Sequence, residues 1–167
     1  MANMIPISTV TATTSVASLD FVNIPNLYTD LVIKTSFRAV QSTGFQRIRF
    51  NSISTTSYAY RWVFGNGTNG LSTNGTDTAI NWIDSTNSSD AANAFSNGDI
   101  YIFNYTGSQN KVISADVARE NNDIAETQGL VSGIWENTSP ISSISLYVTS
   151  GDLAQYSSAT LYGIRKY

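Results

Sequence analysis

"LVIKTSFRA", residues 31–39, alternates without a break: Leu31, Ile33, Thr35 and Phe37 fall on one side of an extended chain, Val32, Lys34, Ser36 and Arg38 on the other. Successive side chains of a strand point to opposite faces, so this period of two predicts a strand with one face buried. The pattern spreads outward from there. "FQRIRFN" (45–51) sets Gln46, Ile48 and Phe50 against Phe45, Arg47 and Arg49, and "YAYRWVFGN" (58–66) lines up Tyr58, Tyr60, Trp62 and Phe64. "GDIYIFNYTG" (98–107) is apolar on both faces, as in a strand covered from both sides. "NKVISADVAR" (110–119), "TQGLVSGIWEN" (127–137) and "ISSISLYVTSG" (141–151) follow, and "ISTVTATTSVASLDFVNIP" (7–25) holds two β-rich runs upstream. The last residues, "YSSATLYGIRKY" (156–167), set Ala159, Leu161 and Gly163 opposite Thr160, Tyr162 and Ile164. Chain ends usually fray; this one reads as a strand that closes a sheet.

Composition agrees. Ser, Thr and Asn number 23, 19 and 16 among 167 residues, while Glu and Lys together number six. Such a chain has few residues for a helix surface and many for strands and turns. Charged residues make up 13% and the net charge is −3, so the polar surface is largely uncharged. Nine or ten strands and no convincing helix are expected, with no fixed-period repeat. The predicted fold is all-β: an antiparallel β-sandwich, jelly-roll-like, over residues 7–167 as a single domain. Residues 1–6, uncharged and ending at Pro6, form an expected extended N-terminal arm. "GNGTNGLSTNGTD" (65–77) carries Asn-Gly three times, a strong turn signal, and is expected to be a long exposed loop.

Several chemistries are disfavoured by what is missing. The chain has no cysteine and no histidine. That removes disulfides, thiol nucleophiles, the Ser-His-Asp triad and most zinc sites. The nine Lys and Arg form no stripe, so nucleic acid is not an expected partner. No run of about 18 apolar residues occurs, so no membrane span is expected, and "MANMIPISTV" has no signal-peptide character. No cofactor is implied. Five N-x-[ST] sequons, at Asn66, Asn74, Asn87, Asn104 and Asn137, follow from an Asn/Ser/Thr-rich composition.

Three stretches could still carry chemistry. "DVARENNDIAE" (116–126) groups Asp116, Glu120, Asp123 and Glu126, which reads as a solvated turn; its oxygens could serve calcium, but its spacing is not an EF-hand. Two of these carboxylates could also serve as the acid and base of a glycosidase, and a depolymerase would depend on Glu120 or Glu136. Trp62 and Trp135 lie in strand patterns and read as core. Trp82, between polar stretches, is the tryptophan expected to be most exposed; with Tyr105 it would form a glycan platform if the protein bound host sugars.

"SLDFVNIPNLYTDLVIK" (18–34), "YRWVFGNG" (60–67), "IYIFNYTGSQNK" (100–111), "GLVSGIWENTSPISSISL" (129–146) and "QYSSATLYGIRKY" (155–167) together resemble a β-sandwich structural protein of tailed-phage virions, of the cyanophage kind. The ending "ATLYGI" is the most specific piece. The resemblance implies a jelly-roll-like capsid decoration (cement) protein without catalytic residues. It implies a homotrimer on the outer capsid surface of the virion, bridging neighbouring major capsid protein subunits. Met4, Ile5 and Pro6 of the arm, and Asn66, Asn69 and Asn74 of the 65–77 stretch, are the expected contact residues. The alternative is a tail-fibre or receptor-binding domain gripping host glycans through Trp82 and Tyr105; a depolymerase is a third reading.

Overall fold

The structure, a computed structural model, describes residues 3–124 and 126–165. Met1 and Ala2 of the expected arm, and the last two residues of the expected domain, lie outside the described residues. Twelve strands and no helix are found among the described residues: β1 (Asn3–Thr11), β2 (Leu19–Phe21), β3 (Asp30–Phe37), β4 (Phe45–Phe50), β5 (Tyr58–Gly65), β6 (Gly70–Asp77), β7 (Ile80–Asp84), β8 (Ser96–Phe103), β9 (Lys111–Ala118), β10 (Gln128–Trp135), β11 (Ile144–Val148) and β12 (Ser158–Arg165).

They form two antiparallel sheets. The larger runs β1-β12-β3-β8-β9-β10-β5-β6, the smaller β2-β11-β4-β7. The sandwich expected from alternation is therefore present. The division is eight and four, not the four and four of a simple jelly roll. Leu31, Ile33 and Phe37 of β3 are fully buried, as are Ile48 and Phe50 of β4, so the inward faces are those the alternation assigns. One hydrophobic cluster runs from Ala12 to Leu161. Its aromatic centre is Trp135, 5.5 Å from Phe50 and stacked on Tyr58 at 6.0 Å. The Tyr58 hydroxyl donates to the carbonyl of Ile53 (3.0 Å) and accepts from the N–H of Phe50 (3.1 Å). Burial pushes its pKa up to about 12.

The last strand sits inside the large sheet. β12 pairs with β1 on one side (Met4↔Ile164, Thr11↔Ser158) and with β3 on the other (Leu161↔Ile33, Ser158↔Ser36). Ala159 and Leu161 face the core, and the Tyr28 ring lies where a Gly163 side chain would be.

Two expectations need correction. The N-terminal segment is not an arm. Met4, Ile5 and Pro6 belong to β1 and pair with Ile164, Gly163 and Tyr162, because β12 offers a free ladder edge that satisfies their backbone groups. Residues 65–77 are not a long loop either. Only 66–69 turn: Asn66 Oδ1 accepts the N–H groups of Thr68 (3.2 Å) and Asn69 (2.9 Å), and Gly67 takes a φ of 79°. The first Asn-Gly is thus the hairpin turn. The other two lie at the start of and within β6, which pairs in unbroken register with β5 from Gly65↔Gly70 to Tyr58↔Asp77.

Candidate binding groove

At one end of the sandwich the large sheet carries β5 and β6 past β7, the edge strand of the small sheet. Trp62 of β5 joins the two: its indole Nε1 donates to the carbonyl of Asn81 on β7 at 2.5 Å. Alternate residues of β5 then make a row of rings. Tyr60 lies 5.5 Å from Trp62, and Phe64 6.2 Å from it on the other side. Phe45, which opens β4, packs against Trp62 at 5.4 Å. Phe45 is 41% exposed, Trp62 only 7%, and Tyr60 and Phe64 are half-buried. These rings, with Thr73, Asn81, Asp84 and Thr127, line a cavity of about 480 Å³. That size and mixture of aromatic wall with a few polar groups is typical of a small-ligand site.

Ion pairs brace both flanks. Arg47 pairs with Asp77 and bonds Asn81 Oδ1. Asn81 Nδ2 donates to Asp77 Oδ2 (3.0 Å) and to the Tyr60 hydroxyl (3.2 Å). Burial would raise the Asp77 carboxyl, but the Thr78 N–H, Asn81 and Arg47 outweigh it and hold it below the ordinary value. Farther along, Arg119 grips Asp90 (2.5 Å) and Glu126 (3.3 Å). Burial opposes its charge, and Asp90, Glu126 and Asp84 together raise its pKa. Asp84 differs from all of these. Among the described residues nothing donates a hydrogen bond to its carboxylate. Burial pushes its pKa up, against the partial pull of Arg119.

The residues expected to grip sugar are not in this groove. Trp82 and Tyr105 are fully buried, which removes the expected platform. Trp82 lies inside β7 between the sheets, its polar neighbours being the strand's ends and outer face rather than flanking loops. The Tyr105 hydroxyl donates to the Pro25 carbonyl, pinning a turn. Trp62, read as core, is nearly buried yet lines the cavity. The signal for it was present: Tyr60, Trp62 and Phe64 repeat at strand spacing, and Phe45 opens the preceding strand.

The other expected residues scatter. Met4 and Pro6 are exposed on the β1 edge, with Ile5 half-buried between them. Asn66 serves its own turn, Asn69 is exposed in it, and Asn74 projects from β6 opposite Arg61. Glu120 follows β9 and Glu136 follows β10 beyond opposite ends of a ladder that is itself about 23 Å long by strand rise, so they form no carboxylate pair. Residues 116–124 are strand end and turn: Glu120 and Asn121 accept the N–H groups of Asn122 (2.6 Å) and Asp123 (2.8 Å). Among the described residues no three His, Cys, Asp or Glu gather to hold a metal, and no helix is long and apolar enough to cross a membrane.

Comparison with protein families, curated proteins and solved structures returned no match. The likeness to phage virion proteins rests on the quoted segments alone.

Proposed function

We propose that this chain is a structural protein of a phage virion. In this reading it is a capsid decoration (cement) protein that works as a homotrimer on the outer capsid surface and stabilises the shell by bridging neighbouring major capsid subunits. Its role is static, and no bond is made or broken.

The observation that carries this reading is the β6 edge. From Gly70 to Thr76 no residue is charged, all but the half-buried Gly75 are exposed, and the ladder to β5 has no bulge. A flat edge of unpaired N–H and C=O groups is a template for another strand, and proteins that must not assemble guard such edges with lysine, proline or bulges. The opposite edge, β1, has both a proline at Pro6 and a register shift between Pro6 and Ser8. Beside β6, on the outer face of the large sheet, Val63 and Leu130 are each 56% exposed and sit opposite one another. An open edge flanked by apolar side chains suits strand addition against another subunit. The uncharged Ser/Thr/Asn surface adds hydrogen-bonding groups without repulsion between copies.

The experiment is to purify particles, count this chain per particle, and compare wild type with Ser72→Lys/Asn74→Lys, which places two charges on the edge. Expected are copy numbers in the range of the capsid protein itself and an occupancy that falls at least about tenfold in the variant, roughly 1.4 kcal/mol per contact set. A handful of copies per particle, or full occupancy of the variant, overturns the reading.

A further inference from the structure

We infer that the groove between β5 and β7 binds a neutral saccharide, a role beyond the proposed one in the capsid; Thr73 of β6 lines the groove, while Ser72 and Asn74 beside it alternate to the other face of the strand.

The walls select the ligand. Tyr60, Trp62 and Phe64 stand side by side along one strand face at 5.5 and 6.2 Å spacings, with Phe45 turned at 59° to Trp62. The row lies along one strand: Tyr60 is tilted 30° to Trp62 and Phe64 stands edge-on to it at 71°, and with Trp62 only 7% exposed the accessible ring surface is that of Tyr60, Phe64 and Phe45. It is not a box closing on one point, as a cage for a quaternary ammonium must be. The C–H faces of a pyranose match such a row in shape and in polarity, since their hydrogens carry slight positive charge and ring faces slight negative charge. A sugar also needs hydrogen-bond acceptors at its rim. Asp84 supplies a carboxylate on the lining that accepts no hydrogen bond from a described residue and feels only the electrostatic pull of Arg119. The hydroxyls of Thr73 and Thr127 stand on the same lining and can donate or accept. Asn81 lies there too, but its amide is committed to Tyr60, Asp77 and Arg47, so its role is to hold the wall in place.

Charge decides against an acidic ligand. Asp84 is the one charged residue on the lining; behind it Asp77 pairs with Arg47, and Asp90 and Glu126 pair with Arg119. Both arginines are already paired with other carboxylates, and the charged group on the lining is an acid. A phosphate, sialic acid or uronic acid would meet net repulsion and no free cation. The cavity of about 480 Å³ has room for one or two pyranose units. Affinity for so short a contact is expected in the millimolar range, about −4 kcal/mol.

The test is a titration of the purified full chain, followed by tryptophan fluorescence and by amide and indole NMR shifts. The probes are glucose, galactose, mannose and N-acetylglucosamine, their common disaccharides, glucuronate and tetramethylammonium. The expected result is saturable binding of at least one neutral sugar, with the Trp62 indole among the shifted signals. Phe64→Leu keeps the bulk but loses the ring face, and Asp84→Asn keeps the shape but loses the charge-assisted acceptor. Each is expected to weaken binding by at least about fivefold, with a cooperative melt retained. The inference is overturned by any of three results: no neutral sugar shifts a signal at about 50 mM, tetramethylammonium saturates the groove and displaces the sugar, or sugar binding survives both substitutions. Each leaves the particle-occupancy result untouched, so the two readings fail separately.

Discussion

Asp77 and Asp84 stand seven residues apart in the chain and titrate in opposite senses. Asp77 is held below its ordinary value of 3.8 by the Thr78 N–H, Asn81 and Arg47, which outweigh its burial. Its native pKa is lower than its unfolded one, so its contribution is present above about pH 4 and lost as pH falls through the native value. Asp77→Asn is therefore expected to cost about 1–2 kcal/mol at pH 7, discounted for partial exposure, and to matter progressively less in acid. Asp84 is raised by burial. Its sign is reversed: the stabilisation is present below the unfolded pKa and is lost as pH rises through the native one. Asp84→Asn should raise the melting temperature at pH 7 and leave it unchanged near pH 3. A thermal melt series from pH 3 to 7 on both variants checks the pair; parallel curves would refute the assignment. A variant that gains stability while losing sugar is the usual signature of a binding group kept at a cost to the fold. Gly163 gives a third residue-scale prediction. A Cβ there would run into the Tyr28 ring, over which Arg165 also sits at 5.5 Å. Gly163→Ala is expected to destabilise by about 1–3 kcal/mol, as overpacking does. Adding Tyr28→Ala should recover part of that loss in a double-mutant cycle, because the collision would be gone.

Among the elements, β12 has most depending on it. It is the sole link between β1 and β3, so removing it severs two ladders at once and uncovers Ile33 and Phe37. Truncation after Tyr156 is expected to yield insoluble protein with no cooperative melt; a soluble truncation that melts sharply would show that β12 is dispensable. This strand was legible in sequence, as were β3, β4, β5 and β9–β11, because each buries one face; β8 was legible as a strand, but the expected cover on both faces is not there, since Ile100 and Ile102 are buried while Phe103 is 44% exposed. β6 was not legible. It is an edge strand exposed on both faces, so no hydrophobic period marks it, and its Asn-Gly pairs signal turns wherever they occur. What makes it a strand is the Asn66 turn and the ladder of β5. The start of β1, Asn3–Pro6, was hidden too, though the β-rich run from Ile7 onward was legible: nothing local marks a pairing with β12 at the far end of the chain. The groove was half legible: its ring row is written in β5, but the meeting of β4, β5 and β7 is a contact between the two sheets, which alternation does not encode.

For the whole molecule the question is how many copies can meet, and the two free edges of the large sheet constrain the answer. A β6 edge paired with a second β6 edge is an isologous contact about a two-fold axis, and it closes as a dimer. A trimer needs two different surfaces in each contact. β1 cannot readily be the second surface for β6, because Pro6 lacks an N–H and the adjoining bulge twists the edge away. If the proposed trimer forms, its contacts lie on the sheet faces, where Phe103, Val112 and Ile134 make a continuous exposed row across β8, β9 and β10. The β6 edge then remains free for the capsid. This separates two effects in one pair of variants. Ser72→Lys/Asn74→Lys should sediment as the wild type does while losing particle occupancy. Val112→Lys/Ile134→Lys should lower the sedimenting mass to that of a monomer, with a cooperative melt retained. Dissociation of the oligomer by the edge charges, with the face charges inert, would instead put β6 in the interface between copies and leave the capsid to be gripped by the face.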